Sequence, residues 1–234
     1  MIVDDDLLSR EVLGMLASDA GFEVESYESG EAALEALHAP GAIIPDTILA
    51  DMQMPGVSGQ ALAHLLRAVC GARTRLFAMS GSGVGADRTG AFDGFLLKPF
   101  SIDTLCAALE KSGATAQVPA DPKPDHSAVL STAIYSSFLQ SMSGAQVRQL
   151  YAMCLDDAEA RIGRMREVQS DADAFRRAAH SIKGGCGMVG ALELARLAGA
   201  MEENGPEILD SSATLDEFLA ASARLRRILD AELK

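Results

Sequence analysis

Along residues 1–112, short apolar runs alternate with longer stretches whose apolar positions recur every three or four residues. The runs fall at 1–3, 22–27, 46–50, 75–79 and 95–97, and their length and bounding turn residues predict strands. Between them, LLSREVLGMLASDAG, SGEAALEALHA and SGQALAHLLRAV predict helices. A further helix, SIDTLCAALEKSG, follows the last run, with Ser101 as its N-cap and Gly113 as its stop. Strand–helix alternation of this kind predicts an α/β unit: a doubly wound, five-stranded parallel sheet with helices on both faces.

The pattern changes at residues 113–128, GATAQVPADPKPDHSA, where three prolines in a polar background predict an extended, semi-rigid linker reaching at most ~50 Å. Beyond it no strand pattern remains. Amphipathic segments at 130–142, 144–168, 171–189, 191–204 and 213–233 are separated by short polar breaks, which predicts an all-α antiparallel four-helix bundle with one leading helix. The third segment contains AHSIKGGCGMVG, with three glycines within seven residues of His180. Each costs a helix roughly 0.5–1 kcal/mol relative to alanine. At 100° per residue, however, Phe175, Ala179, Ile182, Cys186 and Val189 form one stripe whose phase runs unbroken through the glycines. The helix is therefore expected to continue rather than stop at Gly184.

Composition narrows the partners. The 234 residues carry a formal net charge of −13, which argues against nucleic acid and anionic membrane surfaces. Residues 1–112 hold seven Lys and Arg against 16 Asp and Glu, whereas residues 129–234 hold 12 against 15. Cys70, Cys106, Cys154 and Cys186 are scattered without a CxxC pair, the usage of reduced thiols in a cytoplasmic protein. No signal peptide or membrane-length apolar run is present, so any membrane anchor is expected outside these residues.

In an open parallel sheet the site forms at the carboxyl ends of the strands. The first strand ends at Asp4-Asp5-Asp6, the third at Asp51, the fourth at Ser80 and the fifth at Lys98. Clustered carboxylates raise one another's pKa, and a hard divalent cation such as Mg²⁺ relieves that repulsion. A lysine and a hydroxyl nearby suit phosphoryl oxygens, so the set fits phosphoryl transfer to the Asp51 carboxylate. Asp6 reads as a helix cap. The motifs IVDDD, PDTILADMQMPG, AMS and FLLKPF, in this order, resemble the receiver domain of two-component response regulators. The resemblance covers residues 1–112 and implies a flavodoxin-like sheet of order 2-1-3-4-5. It implies Asp51 as phospho-acceptor, Asp4, Asp5, Asp51 and the Gln53 carbonyl as Mg²⁺ ligands, and Ser80 and Lys98 as phosphoryl contacts. It also implies Phe95 as a switch aromatic and a cis Lys98–Pro99 bond. The glycine-rich stretch between Ser80 and Lys98 is tighter than the family norm, which predicts a short or irregular helix there.

In the second half, Arg176, Arg177, His180, Lys183, Gly184 and Gly187 share the face opposite the apolar stripe. Gly184 and Gly187 are expected to leave an exposed His180 without bulky neighbours, and Gly185 to point toward the buried side. Imidazole is a competent nucleophile near neutral pH, and Lys183, at i+3, can pair with a phosphate it carries. HSIKGGCGMVG followed by LARLAGAMEENG resembles the histidine phosphotransfer (Hpt) domain over residues 129–234. That resemblance implies phosphorylation at His180, supported by Lys183 and Gly184.

The sequence thus reads as a receiver at 1–112, a linker at 113–128 and an Hpt domain at 129–234: a phosphorelay segment of the kind found in hybrid sensor histidine kinases. Its expected partners are a sensor histidine kinase and a downstream response regulator, with the acidic receiver half complementing the basic His180 face. No ATP-binding kinase domain or DNA-reading domain is visible. Two other classes compete. A docking module would be switched by phosphorylation while His180 stays idle. A haloacid-dehalogenase-type phosphatase would use Asp4 and Asp6, but Asp6 is followed by Leu-Leu and no second acidic pair closes its site. The direction of phosphate flow between Asp51 and His180 is not written in the residue types.

Overall fold

The computed structural model describes residues 1–81, 90–98, 100, 102–110, 116–118, 129–165, 171–206 and 212–233. The chain divides into two compact units, Met1–Asp121 and Pro122–Lys234.

The first unit is a parallel sheet of six strands: β1 (Ile2–Val3), β2 (Ser26–Tyr27), β3 (Thr47–Asp51), β4 (Arg75–Ser80), β5 (Gly94–Leu97) and β6 (Ala116–Val118). They lie in the order β2-β1-β3-β4-β5-β6. The five expected strands take the order 2-1-3-4-5. Helices α1 (Leu7–Asp19), α2 (Gly30–His38), α3 (Gly59–Cys70) and α4 (Ile102–Glu110) fall where the periodicity places them. Asp6 caps α1 by accepting the Ser9 amide, as expected, and Ser29 caps α2 through the Ala32 amide. The expected caps of α4, Ser101 and Gly113, lie outside the described residues, as do residues 82–89 of the glycine-rich stretch.

Two elements depart from expectation. The sixth strand comes from within the stretch read as linker: Gly94, Phe95 and Leu96 of β5 pair in parallel with Ala116, Gln117 and Val118. A sheet edge offers unpaired backbone groups, and α4 supplies the crossover length that a parallel partner needs. Conversely, β2 shrinks from six expected residues to two. Its one strand neighbour is β1, which spans only Ile2–Val3, so pairing stops at Glu25, whose carbonyl accepts the Ile2 amide at 2.8 Å, and residues 22–24 lie beyond the two-residue ladder.

One face of the sheet packs Ile48, Ala50, Leu76, Ala78 and Phe95 against Leu37 of α2 and Leu62 and Leu66 of α3. Near the amino ends of the strands, Ile2 and Leu49 line a cavity of about 490 Å³ with Ala17 of α1 and Leu105 and Leu109 of α4. The rim carries Phe22 and Ile43, 42% and 85% exposed.

The second unit is helical: α5 (Thr132–Ser141), α6 (Gly144–Met165), α7 (Ala172–Met188), α8 (Leu192–Asn204) and α9 (Ser212–Glu232). Helix α6 packs on α7, α7 on α8, α8 on α9 and α9 back on α6, while α5 lies against α6. This is the expected four-helix bundle with a leading helix. Helix α7 runs through all three glycines and ends at Met188, so the unbroken stripe located it correctly. Its true stop is Gly190, at φ +73°, where a Cβ would lie 2.9 Å from Ser131 Cβ. Met165 is fully buried in the bundle, whereas Met142 and Met153 are half-buried. Among the described residues, no helix is long and apolar enough to cross a membrane.

Candidate functional site

Parallel register brings the carboxyl ends of β1, β3, β4 and β5 to one edge. Asp4 follows β1, Asp51 ends β3, Ser80 ends β4 and Lys98 follows β5. All four are buried, at 0%, 6%, 1% and 9% exposure, while Asp5 beside them faces solvent. The Lys98 amide donates to the Ser80 carbonyl at 2.7 Å, which joins the ends of β4 and β5.

The Lys98 ammonium donates to Asp4 Oδ2 and to Asp51 Oδ2, each at 2.6 Å. Burial disfavours its charge, but the two carboxylates outweigh burial and raise its pKa above the ordinary lysine range. Asp4 is further held by the Asp6 amide on Oδ1 at 2.9 Å and by the Ser9 hydroxyl on Oδ2 at 2.7 Å. Arg10 donates to the Asp4 carbonyl at 2.5 Å. Asp51 Oδ1 accepts the Gln53 amide at 2.8 Å, which tucks the loop after β3 back onto the carboxylate.

Asp4, Asp5 and Asp51 each offer a carboxylate oxygen, and the three lie within 4.8 Å of one another. Although one side of Asp5 meets solvent, partial burial of its carboxyl, then the charges of Asp4 and Asp51, push it up to about 6. Three hard oxygen donors with one face open to solvent, under mutual repulsion that Lys98 only partly answers, fit a small divalent cation. Phe95 is buried on the sheet, 7% exposed, and Pro99 lies outside the described residues.

The second site lies on α7. His180 is half-buried, with its side chain 15% exposed, and is not the bare imidazole expected. Helix α8 carries Glu202 to it: Glu202 Oε1 meets His180 Nδ1 at 2.7 Å, and Glu202 Oε2 accepts from Lys183 Nζ at 3.0 Å. The hydrogen bond from His180 holds the Glu202 carboxyl down at about 2; burial opposes this, and Lys183 assists it. An ionised carboxylate only accepts, so Nδ1 carries a proton in this pair, and Nε2 is the nitrogen left to act as nucleophile in the neutral ring.

A Cβ on Gly184 would meet nothing within 4 Å, as an open face requires. Gly187, in contrast, is buried with Gly185 and Cys186 and is not part of an exposed face. The wheel of one helix assigned Gly187 to solvent because it does not show where neighbouring helices lie. Arg176 and Arg177 are exposed on α7, as expected.

Sequence reasoning missed Glu202, Ser9 and Arg10. Glu202 stands in the MEEN segment that supported the resemblance, but one chain does not show which α8 residue meets which α7 residue. Ser9 and Arg10 lie in the first turn of α1, where Ser9 reaches the Asp4 carboxylate and Arg10 the Asp4 backbone carbonyl.

Comparison with known proteins identifies the family of each unit. The model of the response regulator receiver domain matches residues 1–110, and that of the Hpt domain matches residues 149–232. The virulence sensor protein BvgS of Bordetella bronchiseptica is 27% identical over 254 aligned residues, covering 100% of this chain and 20% of its own length. The DNA-binding transcriptional regulator NtrC of Escherichia coli is 35% identical over 119 residues, 47% of this chain and 24% of its own. Among solved structures, the CheY-like receiver domain from Methylobacillus flagellatus is 32% identical, covers 46% of this chain and 92% of its own, and has a TM-score of 0.41. The chain spans about 20% of the length of its BvgS relatives. Residues 1–110 therefore belong to the response regulator receiver family and residues 149–232 to the Hpt family, which makes this chain a receiver–Hpt tandem of the phosphorelay class.

Proposed function

We propose that the chain passes a phosphoryl group between a histidine of a sensor kinase, Asp51, His180 and a downstream response regulator, as part of a hybrid sensor kinase of the BvgS kind. The observation that supports this best is that each acceptor has a cation beside it: Lys98 at Asp51 and Lys183 near His180. Asp4, Asp5 and Asp51, with the Gln53 backbone carbonyl, would hold Mg²⁺, which when bound would neutralise the carboxylates and draw charge from phosphoryl oxygens.

An Asp51 carboxylate oxygen attacks phosphorus on the donor imidazole, and the P–N bond breaks with its electron pair returning to that ring. Lys98 and Ser80 contact the phosphoryl oxygens. No base is needed, because the nucleophile is already an anion. In the second transfer, Nε2 of His180 attacks the aspartyl phosphate and the Asp51 carboxylate is released. Glu202, aligned on Nδ1–H, balances the positive charge that the ring gains as Nε2 bonds phosphorus. Lys183 turns from Glu202 to the incoming phosphate.

Labelling with radioactive acetyl phosphate tests this reading in three proteins: unaltered, Asp51→Asn and His180→Gln. The unaltered chain should acquire a base-stable, acid-labile label typical of phosphohistidine. His180→Gln should keep only the acyl phosphate label, and Asp51→Asn should lose both. A base-stable label surviving in His180→Gln would refute the assignment.

A further inference from the structure

The bundle contains a pair of groups that phosphoryl transfer does not use. Cys154 of α6 and Cys186 of α7 face each other across the helix interface, with their sulfurs 3.8 Å apart. They are 0% and 1% exposed, and no disulfide joins them. They lie 32 residues apart in sequence, without the spacing of any thiol motif, so only the packing of α6 on α7 makes them partners. Cys70 and Cys106 belong to the other unit.

We infer that Cys154 and Cys186 form a dithiol/disulfide site that a hydroperoxide closes, and that closure slows phosphoryl exchange at His180. One thiolate attacks the peroxide O–O bond, giving a sulfenic acid and one water. The second thiolate then attacks the sulfenic sulfur and releases another water. Two thiols and one hydrogen peroxide thus become one disulfide and two waters, with the two electrons passing from sulfur to the peroxide oxygens.

A disulfide is about 2.0 Å long, so the sulfurs must approach by roughly 1.8 Å. Helix α7 can yield at this point. Gly185 and Gly187 flank Cys186, and Gly184 precedes them. Each glycine weakens a helix interior, which lowers the cost both of the local opening that admits peroxide and of the shift that closes the bond. Cys186 lies six residues beyond His180 on the same helix. Drawing α7 toward α6 strains its contact with α8, where Glu202 holds the imidazole at 2.7 Å.

The test uses the full chain, treated with hydrogen peroxide, then denatured and alkylated for mass analysis. Oxidised protein should lose two hydrogens and alkylate at Cys70 and Cys106, whereas dithiothreitol should restore alkylation at all four cysteines. Transfer of label from Asp51 to His180, a readout that rests on the proposed relay, should fall about tenfold or more after peroxide and recover with dithiothreitol. Cys154→Ala and Cys186→Ala, each checked for folding by circular dichroism, should transfer at a rate that peroxide does not change. Four alkylated cysteines after peroxide would overturn the inference, and so would a cross-linked chain that transfers as fast as the dithiol form. A reduced chain that never labels His180 would count against the relay instead, while the mass measurement would still decide the dithiol site.

Discussion

The imidazole of His180 owes its tautomer and its orientation to one residue on another helix. Glu202 has a carboxyl held at about 2, below its ordinary value of 4.5. A carboxyl depressed in the folded state contributes stability that is fully present above its unfolded pKa and is lost as pH falls through the folded value. Glu202→Gln should therefore destabilise the chain by about 1 kcal/mol near pH 6, a figure limited by the solvent that reaches the pair. Urea denaturation should show that gap closing as pH falls from 5 toward 2, and a gap independent of pH would exclude the pairing. At this scale the two sites were unequally legible. Asp4, Asp51, Ser80 and Lys98 could be grouped in advance because a single rule sends strand ends to a common edge. Glu202 could not, because periodicity describes one helix at a time and carries no register between helices.

At the scale of elements, the glycines of the second unit differ in what they do. Gly184 lies in helical backbone with open space where a Cβ would go. Gly184→Ala should raise stability by about 0.5–1 kcal/mol. Gly190 has φ +73° and packs closely on the start of α5, so Gly190→Ala should cost about 1–3 kcal/mol. Urea midpoints that move in the same direction for both would contradict these placements. The continuity of α7 was legible because its apolar stripe holds phase. The strand pattern misled at residues 22–27, where alternation signals a strand but the two residues of β1 leave most of it unpaired. The opposite error concealed β6: a segment rich in proline and small residues reads as linker, yet the free edge of β5 recruits three of its residues.

For the whole molecule, each unit buries its own core: a sheet between helices in Met1–Asp121, and a closed ring of helices in Pro122–Lys234. Separately expressed, both should unfold cooperatively in urea. Mixing them should restore passage of label from Asp51 to His180, more slowly than in the intact chain because the linker no longer raises their effective concentration. Failure of either piece to fold alone would show that the division is not one of stability. The ammonium wedged between Asp4 and Asp51 bears on how such a molecule endures changes in its surroundings. Its acidic pocket carries a tethered counter-ion that cannot diffuse away. Stripping the solvent of dissolved salts therefore still leaves Asp4 and Asp51 with a partner, and the sheet edge can stay shut through purification in chelator while the repulsion at Asp5 persists.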